Sequence, residues 1–128
     1  MKNSTQLLGR ILMAAIFIWA GIGKIIGYAG TEQYIESLGL AGGLLPLIIL
    51  WELGGGLALL LGFFTRPIAL ALAIFCVATA FLVHFHPGNH MQMINFMKNI
   101  AMTGGFLFVA VQGAGDWSLD RKIGLPWA

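Results

Sequence analysis

Among the polar side chains inside the long apolar runs of this chain, Lys24, Glu52, His84, Lys98 and Asn99 are the candidates for a site. Their types suggest chemistry. A carboxylate beside an ammonium group can form an ion pair and exchange a proton, and an amide and an imidazole can hydrogen-bond the oxygens of a bound ligand. His84, His86 and His90 also invite a metal reading, because imidazole is a common ligand. Pro87 and Gly88 break the segment between the last two, and no carboxylate lies in that loop, so no metal site is expected. Haem held inside a bundle would want histidines on facing helices, and these share one segment. Cys76 is the single cysteine, which excludes an intrachain disulfide and a paired-cysteine redox motif.

The elements that must position these residues follow from composition. The chain has 128 residues, enough for one domain, of which 59% are hydrophobic and 9% charged. Soluble domains carry about 25% charged residues, so this chain cannot cover its apolar surface in water. A formal charge of +2 without a basic cluster gives no reason to expect nucleic acid as a partner. The expected fold is all-α: a four-helix transmembrane bundle with spans near residues 7–27, 44–64, 67–85 and 91–113. Lys2 and Arg10 precede the first apolar run as in a secretory leader, but no small-x-small cleavage site ends it, so this helix is expected to be retained. Between the first two spans, Thr31 can cap a short amphipathic helix with Tyr34, Ile35 and Leu38 at helical spacing, expected to lie on the membrane surface. Trp117 and Trp127 suit an interfacial aromatic belt.

Glu52 sits near the middle of the second span. On the insertion scale a central carboxylate costs about 2.5–3.5 kcal/mol, and each Leu, Ile or Phe returns about 0.3–0.6. The thirteen such residues in 44–64 return roughly 4–8 kcal/mol, so the helix inserts despite its charge. Lys2, Arg10, Arg66, Arg121 and Lys122 fall on one side, with only Lys24 and Lys98 near the other. That bias predicts N- and C-termini in the cytoplasm. Arg10 and Lys24, near the ends of span one, are expected to snorkel to the nearest interface.

Span direction then gives depth. Lys24, Glu52, His84, Lys98 and Asn99 all fall in the outer half of the bundle, whereas the inner half of spans two to four carries almost no polar group. Glu52 should face inward and pair, with Lys98 as first choice and Lys24 as second. Gly23-x-x-x-Gly27 is a candidate close-packing motif, and Gly54, Gly55 and Gly56 leave room beside Glu52 either for helix packing or for a flat ligand lined by Trp51.

Taken together, these residues resemble the DoxX family of small bacterial membrane proteins. The resemblance rests on Gly9-Arg10, Gly21-Ile22-Gly23-Lys24, Trp51-Glu52-Leu53-Gly54-Gly55 and the Leu61-Gly62-Phe63-Phe64-Thr65-Arg66 turn. His84, Lys98-Asn99 and the Gly115-Asp116-Trp117-Ser118-Leu119-Asp120 tail complete it, so it covers nearly the whole chain. It implies a multi-pass protein of the bacterial inner membrane. Some family members are subunits linked to quinone-dependent thiosulfate oxidation, and others associate with oxidant-defence partners. Related folds that oxidise thiols use paired cysteines; with Cys76 alone, that chemistry is not carried over.

Three functions compete. The first is a quinone- or quinol-binding redox component, a subunit of a quinone-dependent oxidoreductase, with Lys24, Glu52, His84, Lys98 and Asn99 as ligand-binding candidates. It has no covalently bound cofactor, and a partner supplies its electrons. The second is a non-enzymatic membrane scaffold whose polar cluster holds the bundle together. The third is a small proton-linked carrier, for which four spans would require a homo-oligomer.

Overall fold

A computed structural model describes residues 1–126 of the chain, so the expectation for Trp127 lies outside the described residues. Among the described residues, four helices are long and apolar enough to cross a membrane: α1 (Lys2–Ile26), α3 (Gly42–Leu61), α4 (Thr65–His84) and α5 (His90–Gln112). A ten-residue helix, α2 (Tyr28–Ser37), links the first two, and a single turn, α6 (Leu119–Lys122), closes the tail. The bundle is all-α, as expected. Large apolar side chains such as Trp19, Ile26, Phe108 and Val111 face outward, as a bilayer solvent allows.

The helices pack along stripes of about 3.5-residue period. On α1 the buried positions are Arg10, Ala14, Phe17 and Gly21, and Lys24 continues the same stripe. On α4 they are Thr65, Ala69, Leu72, Ala73 and Cys76. The core is centred on Phe17, which meets Phe106 of α5 edge-on with ring centroids 5.4 Å apart.

Small residues set the crossings, but not those of the Gly23–Gly27 motif. A side chain at Gly23 would meet nothing within 4 Å, so that face is free of helix contacts. Instead Gly21 lies under Leu53, where an added Cβ would come within 2.8 Å of its Cβ. An added Cβ at Gly56 would come within 3.2 Å of the Phe17 Cβ, and one at Gly55 within 3.0 Å of Leu72. Gly55 and Gly56 are therefore filled by neighbouring helices, whereas Gly54 is exposed and an added Cβ there would meet only Leu50 of its own helix, at 3.6 Å.

Several boundaries move. α3 ends at Leu61, because Gly62 takes the left-handed conformation (φ 72°) and stops the helix. α4 begins at Thr65, with Pro67 accommodated in its first turn. α2 starts before Thr31, whose hydroxyl donates to Gly27 O at 2.9 Å within the helix instead of capping it. α5 is capped by Asn89, whose side chain accepts from Gln92 N.

Two segments depart from α geometry. Leu50–Gly54 of α3 and Ala80–His84 of α4 are widened π-helical turns, each with one residue more than an α turn holds. Both lie towards the end of the bundle opposite the termini, and one of them contains Glu52.

Candidate functional site

Glu52 is 5% exposed, and its position is set from both sides. Trp51, the residue before it, donates from Nε1 to Ala71 O of α4 at 3.1 Å and lies against Phe75, with centroids 6.1 Å apart. Leu53, the residue after it, is seated on Gly21 of α1. The π turn and these two contacts direct the Glu52 side chain between α1 and α4.

Its partner is Lys24. Lys24 Nζ lies 2.6 Å from Glu52 Oε1, joining the loop end of α1 to the middle of α3. At this distance the ammonium compensates the Glu52 charge inside the bundle. The preference for Lys98 is thus corrected. Lys98 and Asn99 are neighbours on one helix and point about 100° apart, so only one can face the interior. Asn99 does, on the same stripe as Met102 and the buried Phe106, whereas Lys98 is exposed.

Beside the pair opens a cavity of about 670 Å³, walled by α1–α5. Of the five candidate residues, Lys24, Glu52, His84 and Asn99 line it, and Lys98 does not. Most of the remaining wall is apolar, with Phe17, Trp51, Phe75 and Leu82 among its side chains. Helix α2 contributes Thr31, Tyr34 and Ile35, and Leu38 follows at its C-terminal end.

The polar groups of this wall are hydrogen-bonded in a definite pattern. Asn99 Nδ2 donates to Thr79 Oγ1 at 2.8 Å and to Cys76 O at 3.3 Å. Thr79 Oγ1 in turn donates to Phe75 O at 2.9 Å. His84 Nδ1 lies 2.8 Å from Gln92 Oε1. His86 Nε2 meets Val83 O at 3.1 Å. Cys76 is buried in the cavity wall.

A second polar cluster, at the end that carries both termini, escaped the sequence reading. Arg10 does not snorkel; it is 2% exposed. Its Nη1 donates to Leu59 O at 3.1 Å and Leu60 O at 3.0 Å, and its Nη2 donates to Trp117 O. Asp120 is fully buried, and its carboxylate accepts from Phe64 N at 2.6 Å and Thr65 N at 2.9 Å. The guanidinium therefore meets the carbonyls at the C-terminal end of α3, and the carboxylate meets the amides at the N-terminal end of α4, each matching the local helix dipole. The stripe position of Arg10, in phase with Ala14 and Phe17, was a readable signal of its burial.

The family model described as DoxX matches residues 5–85. Two proteins of Escherichia coli (strain K12) are similar along nearly their whole length. Inner membrane protein YqjF is 51% identical over 121 residues, covering 94% of this chain and 93% of the relative. Inner membrane protein YphA is 39% identical over 123 residues, covering 91% and 88%. No solved structure matches the chain at significance.

Proposed function

This chain belongs to the DoxX family of membrane proteins, and from that premise we propose that it binds a quinone or quinol head in the cavity beside Glu52, as a redox-associated component of the bacterial inner membrane. The observation that carries the reading is the cavity itself: about 670 Å³, mostly apolar, with the Lys24–Glu52 pair in its wall. Small-molecule sites typically enclose about 300–1,000 Å³ and combine apolar walls with a few fixed polar groups. A quinone head is flat, neutral and rimmed by oxygens. The rings of Trp51 and Phe75, tilted 32° to each other, offer it an aromatic surface. The charge-compensated pair suits a neutral head better than an ion.

When bound, the quinone supplies the redox chemistry. The chain's own residues hold the ring, keep water from it and hold a proton at the Glu52 carboxylate or Lys24 Nζ. A partner protein exchanges the electrons. The termini lie in the cytoplasm, and α2 lies at the outer surface of the membrane, beside the cavity. Inner membrane is the location in the names of both relatives.

The test is equilibrium binding of a short-tailed benzoquinone and its hydroquinone to the purified protein in lipid nanodiscs. Ala20→Trp, which projects into the cavity, should abolish binding of both while the helices stay folded. Lys98→Met should leave binding unchanged. Binding that survives Ala20→Trp overturns the reading.

A second reading has its own support. The pair ties α1 to α3, as Arg10 does at the opposite end, so it also suits a scaffold whose polar groups fix helix packing. In that case Glu52→Gln lowers thermal stability and no ligand responds to any cavity variant.

A further inference from the structure

The cavity is open on one side, within the membrane-spanning part of the bundle. On α3, Leu44, Leu47 and Trp51 line it at helical spacing and are also exposed; on α4, Ala78 and Leu82 do the same. Leu47 is 60% exposed and Leu82 58%, although both belong to the cavity wall. Residues that line a cavity and face outward mark its mouth. Of the lining residues on α1 and α5, only Ile16 is exposed, so that side has no facing pair of open rims.

The gap between α3 and α4 has a floor. Towards the termini the two helices pack directly, with Gly55 against Leu72. Trp51 then spans them: its indole N–H donates to Ala71 O and its ring lies against Phe75. Trp51 stands about 14 Å along α3 from Gly42, near the middle of the span. The gap above it is therefore about one leaflet deep, in the leaflet on the side of α2. Glu52, the next residue, is turned inward to Lys24. The polar end of the cavity thus lies inside the bundle, and its apolar end opens where a bilayer offers only hydrocarbon. A quinone head of about a dozen heavy atoms, even at the roughly 30 Å³ of a liquid water each, fills little more than half of the volume.

We propose that the cavity is entered sideways from the bilayer, through the gap between α3 and α4, and that its ligand is a ring carrying a long apolar chain that stays in the gap. The inference rests on the ring-binding reading above and adds the ligand class and its route. The chain lies over the Trp51 ring, against Leu47, Ala78 and Leu82. Moving a chain from lipid into an apolar gap gains little, because lipid tails are as apolar as leucine. The chain contributes access and orientation, and the ring supplies the affinity.

The experiment uses the full chain in lipid nanodiscs and two probes, tetramethyl-benzoquinone and trimethyl-decyl-benzoquinone. A third probe carries a diazirine on the decyl chain for photolabelling, with labelled residues mapped by mass spectrometry. Label should concentrate on residues 44–51 and 78–82, and excess decyl-benzoquinone should suppress it. Ala78→Trp, which fills the gap from a lipid-facing position, should weaken binding of the decyl ring relative to the tailless ring by at least about tenfold. Ile74→Trp, on a lipid-facing position of α4 outside the cavity, should leave that ratio unchanged. Suppressible label on α1 and α5 instead, label spread over lipid-facing residues that excess ligand does not suppress, or a ratio unmoved by Ala78→Trp overturns the side entry. If the tailless ring still binds, the ring site stands without it. Binding of neither ring overturns the ring site and the side entry with it.

Discussion

Lys24 and Glu52 meet at 2.6 Å across the first and second spans, with Glu52 buried and Lys24 partly open to the cavity. Removing one member strands the other charge in a low-dielectric interior, whereas removing both does not. Glu52→Leu and Lys24→Met should each destabilise the protein by about 3 kcal/mol or more, and the double variant should recover much of that loss. Thermal unfolding in detergent measures the cycle. Additive losses would mean that the two side chains are not coupled.

The tail should matter as much as a span. Asp120 supplies acceptors to Phe64 N and Thr65 N, and Arg10 gathers Leu59 O, Leu60 O and Trp117 O. Arg10→Met leaves three carbonyls with fewer donors, and Asp120→Ala leaves two amides without acceptors; each should cost about 2–4 kcal/mol. Limited proteolysis should find the α3–α4 turn newly accessible in both variants. A turn as protected as in the wild type would contradict the clasp.

Glycine substitutions separate two packing models. Gly23→Ala and Gly27→Ala should be tolerated, because no neighbouring helix lies on that face. Gly21→Val and Gly56→Val should disrupt the α1–α3 crossing, where added carbons meet Leu53, Phe17 and Ile18. Expression and melting of the four variants in parallel decide the matter. Equal sensitivity at all four positions would restore the Gly23–Gly27 motif.

The number of spans and the depth of Glu52 were legible because bilayer insertion depends on composition along the helix axis, which a sequence states directly. The partner of Glu52 was not, because depth leaves azimuth open. Lys24 and Lys98 lie at similar depth, and only the rotation of α5, which turns Asn99 inward, excludes Lys98. The π turn at Leu50–Gly54 adds a residue to the helix and has no simple sequence signature beyond the glycines that follow it. Arg10 and Asp120 stand near opposite ends of the chain, so their joint role emerges only when the tail folds back. Yet the period that places Arg10, Ala14, Phe17, Gly21 and Lys24 on one stripe was present in the sequence, and it argues for burial over snorkelling at both basic positions.

Membrane orientation makes a separate prediction. A reporter fused after Gly113 should be active only on the cytoplasmic side, and one inserted at Gly88 only on the outer side. The reverse pattern would place the cavity towards the cytoplasm and invert the charge bias of the loops.

The most direct measurement is a mass spectrum of lipids extracted from gently purified protein, wild type beside Ala20→Trp. The ring-site account predicts that a quinone or its quinol co-purifies with the wild type in near-stoichiometric amount and is depleted in the variant. Equal quinone content in the two preparations would contradict it.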